Sequence, residues 1–239
     1  MKKNFKSLFC GSVFVATSFT SLGVSAEGGD ISITGNAGIL SDYIFRGIPQ
    51  DSGVGNGGFD IEAYGVYLGT WAADVGDGIE YDIYGGYIYD HELSEDSSVN
   101  VGIGYTSYQY SDDFDEEYNE VNLYAGGVVG DFSLDLEYTI GDYNGDFLED
   151  DGSIDGDDYT FMAATLTYGS TYLTYGDFGD DADDALGNYF ELGYTTELAG
   201  FDLTGALVYT NDANILAEDD EDELEAYVSI SWNFDVASF

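Results

Sequence analysis

Residues 224–234 read LEAYVSISWNF, and they alternate without a break. Leu224, Ala226, Val228, Ile230, Trp232 and Phe234 occupy one register; Glu225, Tyr227, Ser229, Ser231 and Asn233 occupy the other. Successive side chains of a strand point to opposite faces, so a period of two describes a strand with one apolar and one polar face. The pattern recurs upstream. FSLDLEYTI (132–140) separates Phe132, Leu134, Leu136, Tyr138 and Ile140 from Ser133, Asp135, Glu137 and Thr139. IEYDIYGGYIY (79–89) separates Ile79, Tyr81, Ile83 and Tyr87 from Glu80, Asp82 and Tyr84. FDIEAYGVYLGTW (59–71), taken as one strand, sets Phe59, Ile61, Tyr67 and Trp71 against Asp60, Glu62 and Tyr64. From Ile31 onward, Ile31, Ile33, Ala37, Ile39, Tyr43 and Phe45 alternate with Ser32, Thr34, Asn36, Asp42 and Arg46. No helical stripe follows residue 26, and no apolar run is long enough for a membrane helix. The chain is all-β.

Eleven such segments can be marked off, near 31–46, 57–74, 79–92, 98–111, 117–129, 131–143, 158–169, 171–178, 188–199, 201–211 and 223–235. Their connections are of two kinds. Some are tight and carry glycine (VGDG, GDF, YGS, LAGF); others are long and acidic (SDDFDEE, GDFLEDDGSIDGDD, GDDADDALGN, NDANILAEDDEDE). Short turns interspersed with long polar loops suit an antiparallel up-and-down transmembrane β-barrel, and bacterial single-chain barrels have an even strand number. An odd count means a strand missed or merged, so the expectation is about twelve strands, within roughly ten to fourteen. A soluble exported β-sandwich also alternates. Three features favour the membrane barrel. Aromatics gather at strand ends (Tyr43 and Phe45, Tyr67 and Trp71, Tyr87 and Tyr89, Trp232 and Phe234), as interfacial girdles require; the segments are long; and the chain ends in Phe239 after a strongly alternating segment. A terminal aromatic resembles the recognition signal of outer-membrane barrels, which implies the barrel-assembly machinery as a folding partner.

The first 26 residues, MKKNFKSLFCGSVFVATSFTSLGVSA, have a Lys-rich start, an apolar middle and a small-residue end at Val24-Ser25-Ala26. They read as a cleaved signal peptide, leaving residues 27–239 as a single barrel domain destined for the outer membrane of a Gram-negative bacterium. Cys10 is the only cysteine, so the mature chain has none and is no disulfide scaffold. Lys2, Lys3 and Lys6 leave with the leader, which makes Arg46 the only Lys or Arg of the mature chain, against 48 acidic residues. Nucleic acid is excluded as a partner, because phosphate binding needs many cations. The acidic loops beside anionic lipopolysaccharide imply an association with outer-membrane lipid through bridging divalent ions. Intrinsic disorder is unlike a chain with 44% hydrophobic residues, 22 Tyr and 15 Phe.

The stretch GNAGILSDYIFRGIPQDSG, followed by GGFDIEAYGVYLGTWAADVGDGIEYDIYGGY, resembles the opening of the Gcw_chp family, conserved hypothetical proteins of proteobacteria. The residues that carry the resemblance are Ser41, Asp42, Tyr43, Phe45, Arg46, Gly47, Gly57, Gly58, Asp60, Gly65, Tyr67, Gly69 and Trp71, and it is good over about residues 35–87. It implies an outer-membrane barrel and brings no established activity.

Arg46 shares its register with Asp42, and the next segment offers Asp60 and Glu62 on its polar side. This predicts a charge clamp in the lumen, with Arg46 held by Asp42, Asp60 and Glu62. Glu80, Asp82, Asp135, Glu137 and Glu225 are expected to line the lumen. Catalysis has little support: His91 is the only histidine, and Asp90 beside it faces the other way in a strand. No cofactor is expected beyond weakly bound Ca²⁺ or Mg²⁺. DGSIDGD places Asp151, Ser153 and Asp155 at the spacing of a Ca²⁺ loop, but position twelve is Met162 and no helices flank it. Two functions stay open: a small cation-favouring pore with an acidic lumen, and a non-conducting structural or surface-interaction barrel whose acidic loops bind cations.

Overall fold

The computed structural model describes residues 31–76, 78–111, 116–144, 158–180, 182, 186–211 and 223–239. Twelve strands follow one another: β1 (Ser32–Phe45), β2 (Ile48–Ala63), β3 (Val66–Asp74), β4 (Ile79–Ser94), β5 (Ser97–Tyr110), β6 (Tyr118–Val129), β7 (Phe132–Tyr143), β8 (Asp158–Tyr168), β9 (Thr171–Asp180), β10 (Asn188–Leu198), β11 (Phe201–Asn211) and β12 (Glu223–Ser238). Each pairs antiparallel with its sequence neighbours, and β1 closes on β12, so the sheet is a closed barrel. Closure removes the unpaired edges that an open sheet would present.

The twelfth strand was hidden by a turn. Tyr64 and Gly65 both have positive φ, 55° and 79°, the signature of a two-residue type I′ hairpin. The stretch 59–71 is therefore two strands: Ala63 pairs with Val66, and Glu62 with Tyr67. Across such a turn the register inverts, so Tyr67 and Trp71 share a face with Asp60 and Glu62 instead of opposing them. Both aromatics are 6% exposed and point inward, as does Tyr43 at 1%. These three are lumen residues and not girdle residues; Tyr87, Tyr89 and Trp232 do face outward. Tyr64, which alternation sets with Asp60 and Glu62 on the polar register, lies exposed at the turn.

Elsewhere the alternation holds strand by strand. Ile61, Ile83, Leu134 and Val228 are exposed on the outer wall, while Glu80, Asp82, Tyr84 and Tyr227 are buried inside. Glycine and tyrosine fit together on the inner face. Gly69 is opposite Tyr84, Gly141 opposite Tyr159, Gly176 opposite Tyr189 and Gly193 opposite Tyr172. In each pair the tyrosine ring lies over the glycine, in the space a Cβ would need. A glycine inside a strand marks such a close approach, and the ring covers the backbone it leaves bare.

One part of the wall departs from the barrel. β1 stays bonded to β12 only as far as Leu40, opposite Ser229, and β2 joins β3 only from Asn56, opposite Ala73. β1 and β2 remain paired with each other up to Phe45 opposite Ile48. Residues 41–55 thus form a two-stranded arm that joins neither neighbouring strand in a backbone ladder. At its base the amide of Val228, left without a β1 carbonyl, donates to Ser41 Oγ at 2.9 Å. Pro49, the sole proline, sits in this arm, where it costs the wall no hydrogen bond. Arg46 and Gly47, with φ of 49° and 86°, form the type I′ tip.

Candidate functional site in the barrel lumen

The arm folds into the lumen and its tip reaches the far wall. Leu40, Tyr43, Ile44 and Val54 are buried, and Arg46 is 5% exposed. Thr210 Oγ1 on β11 donates to the Gly47 carbonyl at 2.8 Å. The Arg46 guanidinium bonds Glu120 on β6 through both terminal nitrogens, Nη1 to Oε1 and Nη2 to Oε2, the latter at 3.1 Å. Nη2 also donates to Glu137 Oε1 on β7 at 3.1 Å. The plane of the fork lies over the Phe161 ring of β8, 4.0 Å from its centre, with Phe45 at 4.9 Å on the tip itself. A planar cation suits this setting: two-pronged toward a carboxylate and stacked on an aromatic face. In the closed strand order β7 is the sixth strand from β1 in either direction, so the ion pairs tie opposite sides of the barrel.

The carboxylates that hold Arg46 are held in turn. Glu120 accepts from Tyr159 Oη at 2.6 Å, Asn122 Nδ2 at 3.0 Å and Tyr108 Oη at 3.1 Å. Asn122 also donates to Thr139, whose hydroxyl donates to Glu137 Oε1, both at 3.0 Å. The same solution recurs along the lumen without any cation. Tyr84 donates to Asp60 at 2.6 Å and Tyr43 to Glu80 at 2.8 Å. Tyr172 and Tyr227 both donate to Glu191 Oε1, at 2.6 and 2.7 Å. A chain almost without Lys and Arg thus uses phenol O–H groups as its carboxylate donors, an exchange that keeps buried acids hydrogen-bonded.

The expected partners of Arg46 are corrected by this geometry. Asp60 lies opposite Thr34 and Glu62 opposite Ser32, at the other end of the first hairpin. Asp42 accepts from Ser52 at the exposed side of the arm. The reason is the length of β2. With the turn at residues 46–47, residues pair by equal distance from it, and Asp60 is on the order of 40 Å of strand from the tip. Only with 47–56 as a loop would Asp60 come near the tip, and the chain from Ile48 onward is strand instead. Glu80 and Asp82 lie in the closed centre of the lumen, 2% and 0% exposed, and Glu137, Asp135 and Glu225 lie on the same inward register, less deeply covered. Glu120 and Glu191 were not singled out from the sequence, although Glu120 alternates inward with Tyr118 and Asn122. His91 is exposed on the outer part of β4, its ring 6.4 Å from that of Tyr89. Asp151, Ser153 and Asp155, and the leader, lie outside the described residues.

Among solved structures, the fold is similar to that of the KdgM porin, at 10% identity, over 84% of this chain and 99% of that one, with a TM-score of 0.53. It is similar to the NanC porin at 12% identity, over 86% and 99% of the two chains, with a TM-score of 0.50. A looser likeness to OccAB3 of Acinetobacter baumannii, at 12% identity and a TM-score of 0.43, covers 79% of this chain and 56% of that longer one. A search of curated proteins finds no match. The family model described as a bacterial protein of unknown function (Gcw_chp) matches residues 25–217, and this twelve-stranded barrel belongs to the Gcw_chp family.

Proposed function

We propose that the protein is an outer-membrane barrel that is non-conducting as folded, with the β1–β2 arm as an internal plug. One observation carries this reading: Arg46, at the arm's tip, is buried and ion-paired with Glu120 and Glu137 on the opposite wall. The rings of Tyr108, Tyr118, Phe161, Phe178 and Tyr189 fill the space around it. Small barrels have interiors that side chains can fill, and twelve strands sit between those and the open porins. An outer-membrane location is supported by the apolar outer register and by the likeness in fold to two proteins named porins. In that location the acidic loops would meet lipopolysaccharide through divalent cations.

A second reading has its own support. The inward register carries Asp60, Glu80, Asp82, Glu120, Glu137 and Glu191 against one arginine. A lumen of that sign favours cations and repels anions once the arm is withdrawn. Recording from the purified mature protein in planar bilayers separates the two. A silent wild type supports the plugged barrel, whereas steady cation-selective steps from the wild type would replace it with the pore.

A further inference from the structure

Among the described residues, Asp82 is the one buried acid of the lumen that the tyrosine scheme does not serve. It is 0% exposed, and neither carboxylate oxygen has a hydrogen-bond partner among the described residues. Its register neighbours are Trp71 on β3 and Tyr108 on β5, both turned inward. The Tyr108 hydroxyl is engaged by Glu120. Glu80, two residues away on the same face of β4, is 2% exposed and accepts from Tyr43. Glu80 and Glu120 bear on Asp82 with charge of its own sign. Arg46 does not relieve them, because its guanidinium is committed to Glu120 and Glu137. A dry ionised carboxylate without a donor is among the most costly arrangements in a protein unless it is paired, coordinates a metal or takes up a proton.

We infer that Asp82 and Glu80 form a cation site inside the barrel, and that the ion it takes is Ca²⁺. Two carboxylates match a divalent charge. Ca²⁺ accepts oxygen ligands in number and geometry flexible enough to combine carboxylates with water, whereas Mg²⁺ demands a near-ideal octahedron. Among the described residues no group of three or more His, Cys, Asp or Glu side chains is placed to hold an ion, so the two carboxylates supply only part of its shell. The site does not require the lumen to conduct: Asp82 and Glu80 are wall residues of β4, and the arm touches the site through Tyr43, which donates to Glu80.

The chain's two tryptophans supply the test. Trp71 is the cross-strand neighbour of Asp82, and Trp232 faces outward on β12. Tb³⁺ replaces Ca²⁺ and luminesces when a nearby indole is excited. The folded mature barrel in detergent, stripped with EDTA, is titrated with Tb³⁺ under tryptophan excitation. The expected result is emission that Ca²⁺ displaces, that is abolished in Trp71→Phe and retained in Trp232→Phe. Asp82→Asn should abolish it too, and should melt above the wild type in EDTA while losing the rise in midpoint that Ca²⁺ gives the wild type. If Asp82→Asn does not fold, the two tryptophan variants decide alone. Emission indifferent to Trp71→Phe, a Ca²⁺ response equal in wild type and Asp82→Asn, or no emission from the wild type overturns the site.

Discussion

Arg46 and Glu120, 74 residues apart in the chain, meet in a two-pronged ion pair inside the barrel. The contact depends on two separate facts: β1 and β2 continue beyond the wall, and β6 turns Glu120 inward at the height where their tip arrives. The guanidinium has replaced hydration with two carboxylates and an aromatic face. Breaking such a buried pair from one side costs more than removing the pair altogether, since the survivor stays charged and dry.

Arg46→Ala should therefore lower stability by about 3–5 kcal/mol, measured by urea unfolding in detergent. Arg46→Lys should recover only part, because an ammonium cannot make the forked contact. Adding Glu120→Gln to Arg46→Ala should recover more. Asp42→Asn and Asp60→Asn should leave the cost of Arg46→Ala unchanged; if either one offsets it, the pairing across the lumen is wrong.

Conductance should follow the arm. A Cβ placed on Gly47 would lie 2.7 Å from Tyr189 Cβ, at a φ of 86° that side-chain-bearing residues rarely adopt. Gly47→Val should lift the tip and produce cation-selective openings in planar bilayers where the wild type is quiet. A folded Gly47→Val barrel as silent as the wild type would remove the arm from its role as plug.

The glycine–tyrosine fit makes a distinct prediction. A Cβ on Gly141 would collide with the ring of Tyr159, the tyrosine that donates to Glu120. Gly141→Val should cost about 1–3 kcal/mol, as overpacking does, and should weaken the Arg46 contact indirectly. In a double-mutant cycle with Arg46→Ala the two effects should be less than additive. Strict additivity would mean that Tyr159 does not support the pair.

Glu191 offers a test of the phenol donors. Tyr172→Phe removes one of the two hydroxyls that bond it, leaving Tyr227. The expected loss is about 1–3 kcal/mol, the cost of an under-satisfied buried group. Tyr172→Phe combined with Glu191→Leu should be milder than the single change, and a harsher double variant would contradict the scheme.

The outer wall is tested by sign. Val228→Arg, on the exposed face of β12, should cost about 2–4 kcal/mol if it lies near the membrane midplane, seen as loss of the heat-modifiable band on gels. Glu225→Gln, on the inward register, should be mild. The reverse order would mean that β12 has been assigned the wrong face.

Much of the barrel is written in the order of residues. Period-two alternation from Ile31 to Phe234 marks the strands, and it needs no partner to be read because a strand turns its side chains alternately whatever it pairs with. The even count was recoverable in principle from Tyr64-Gly65. It was obscured because a two-residue turn keeps the rhythm of alternation while inverting the faces. Read as one strand, the stretch puts Tyr67 and Trp71 on the wrong side.

What the chain alone could not say is who meets Arg46. Its status as the only Lys or Arg after residue 6, its glycine partner in the turn and its inward side are local facts of sequence. Its ligands are not, because Glu120 and Glu137 lie on strands that reach it only after the sheet has closed through ten others and the arm has bent across the lumen. Charge and alternation select the face of each residue, but closure and the arm's departure from the wall select the contact. An ion pair between opposite walls depends on curvature summed over the whole sheet, and no window of sequence contains that sum.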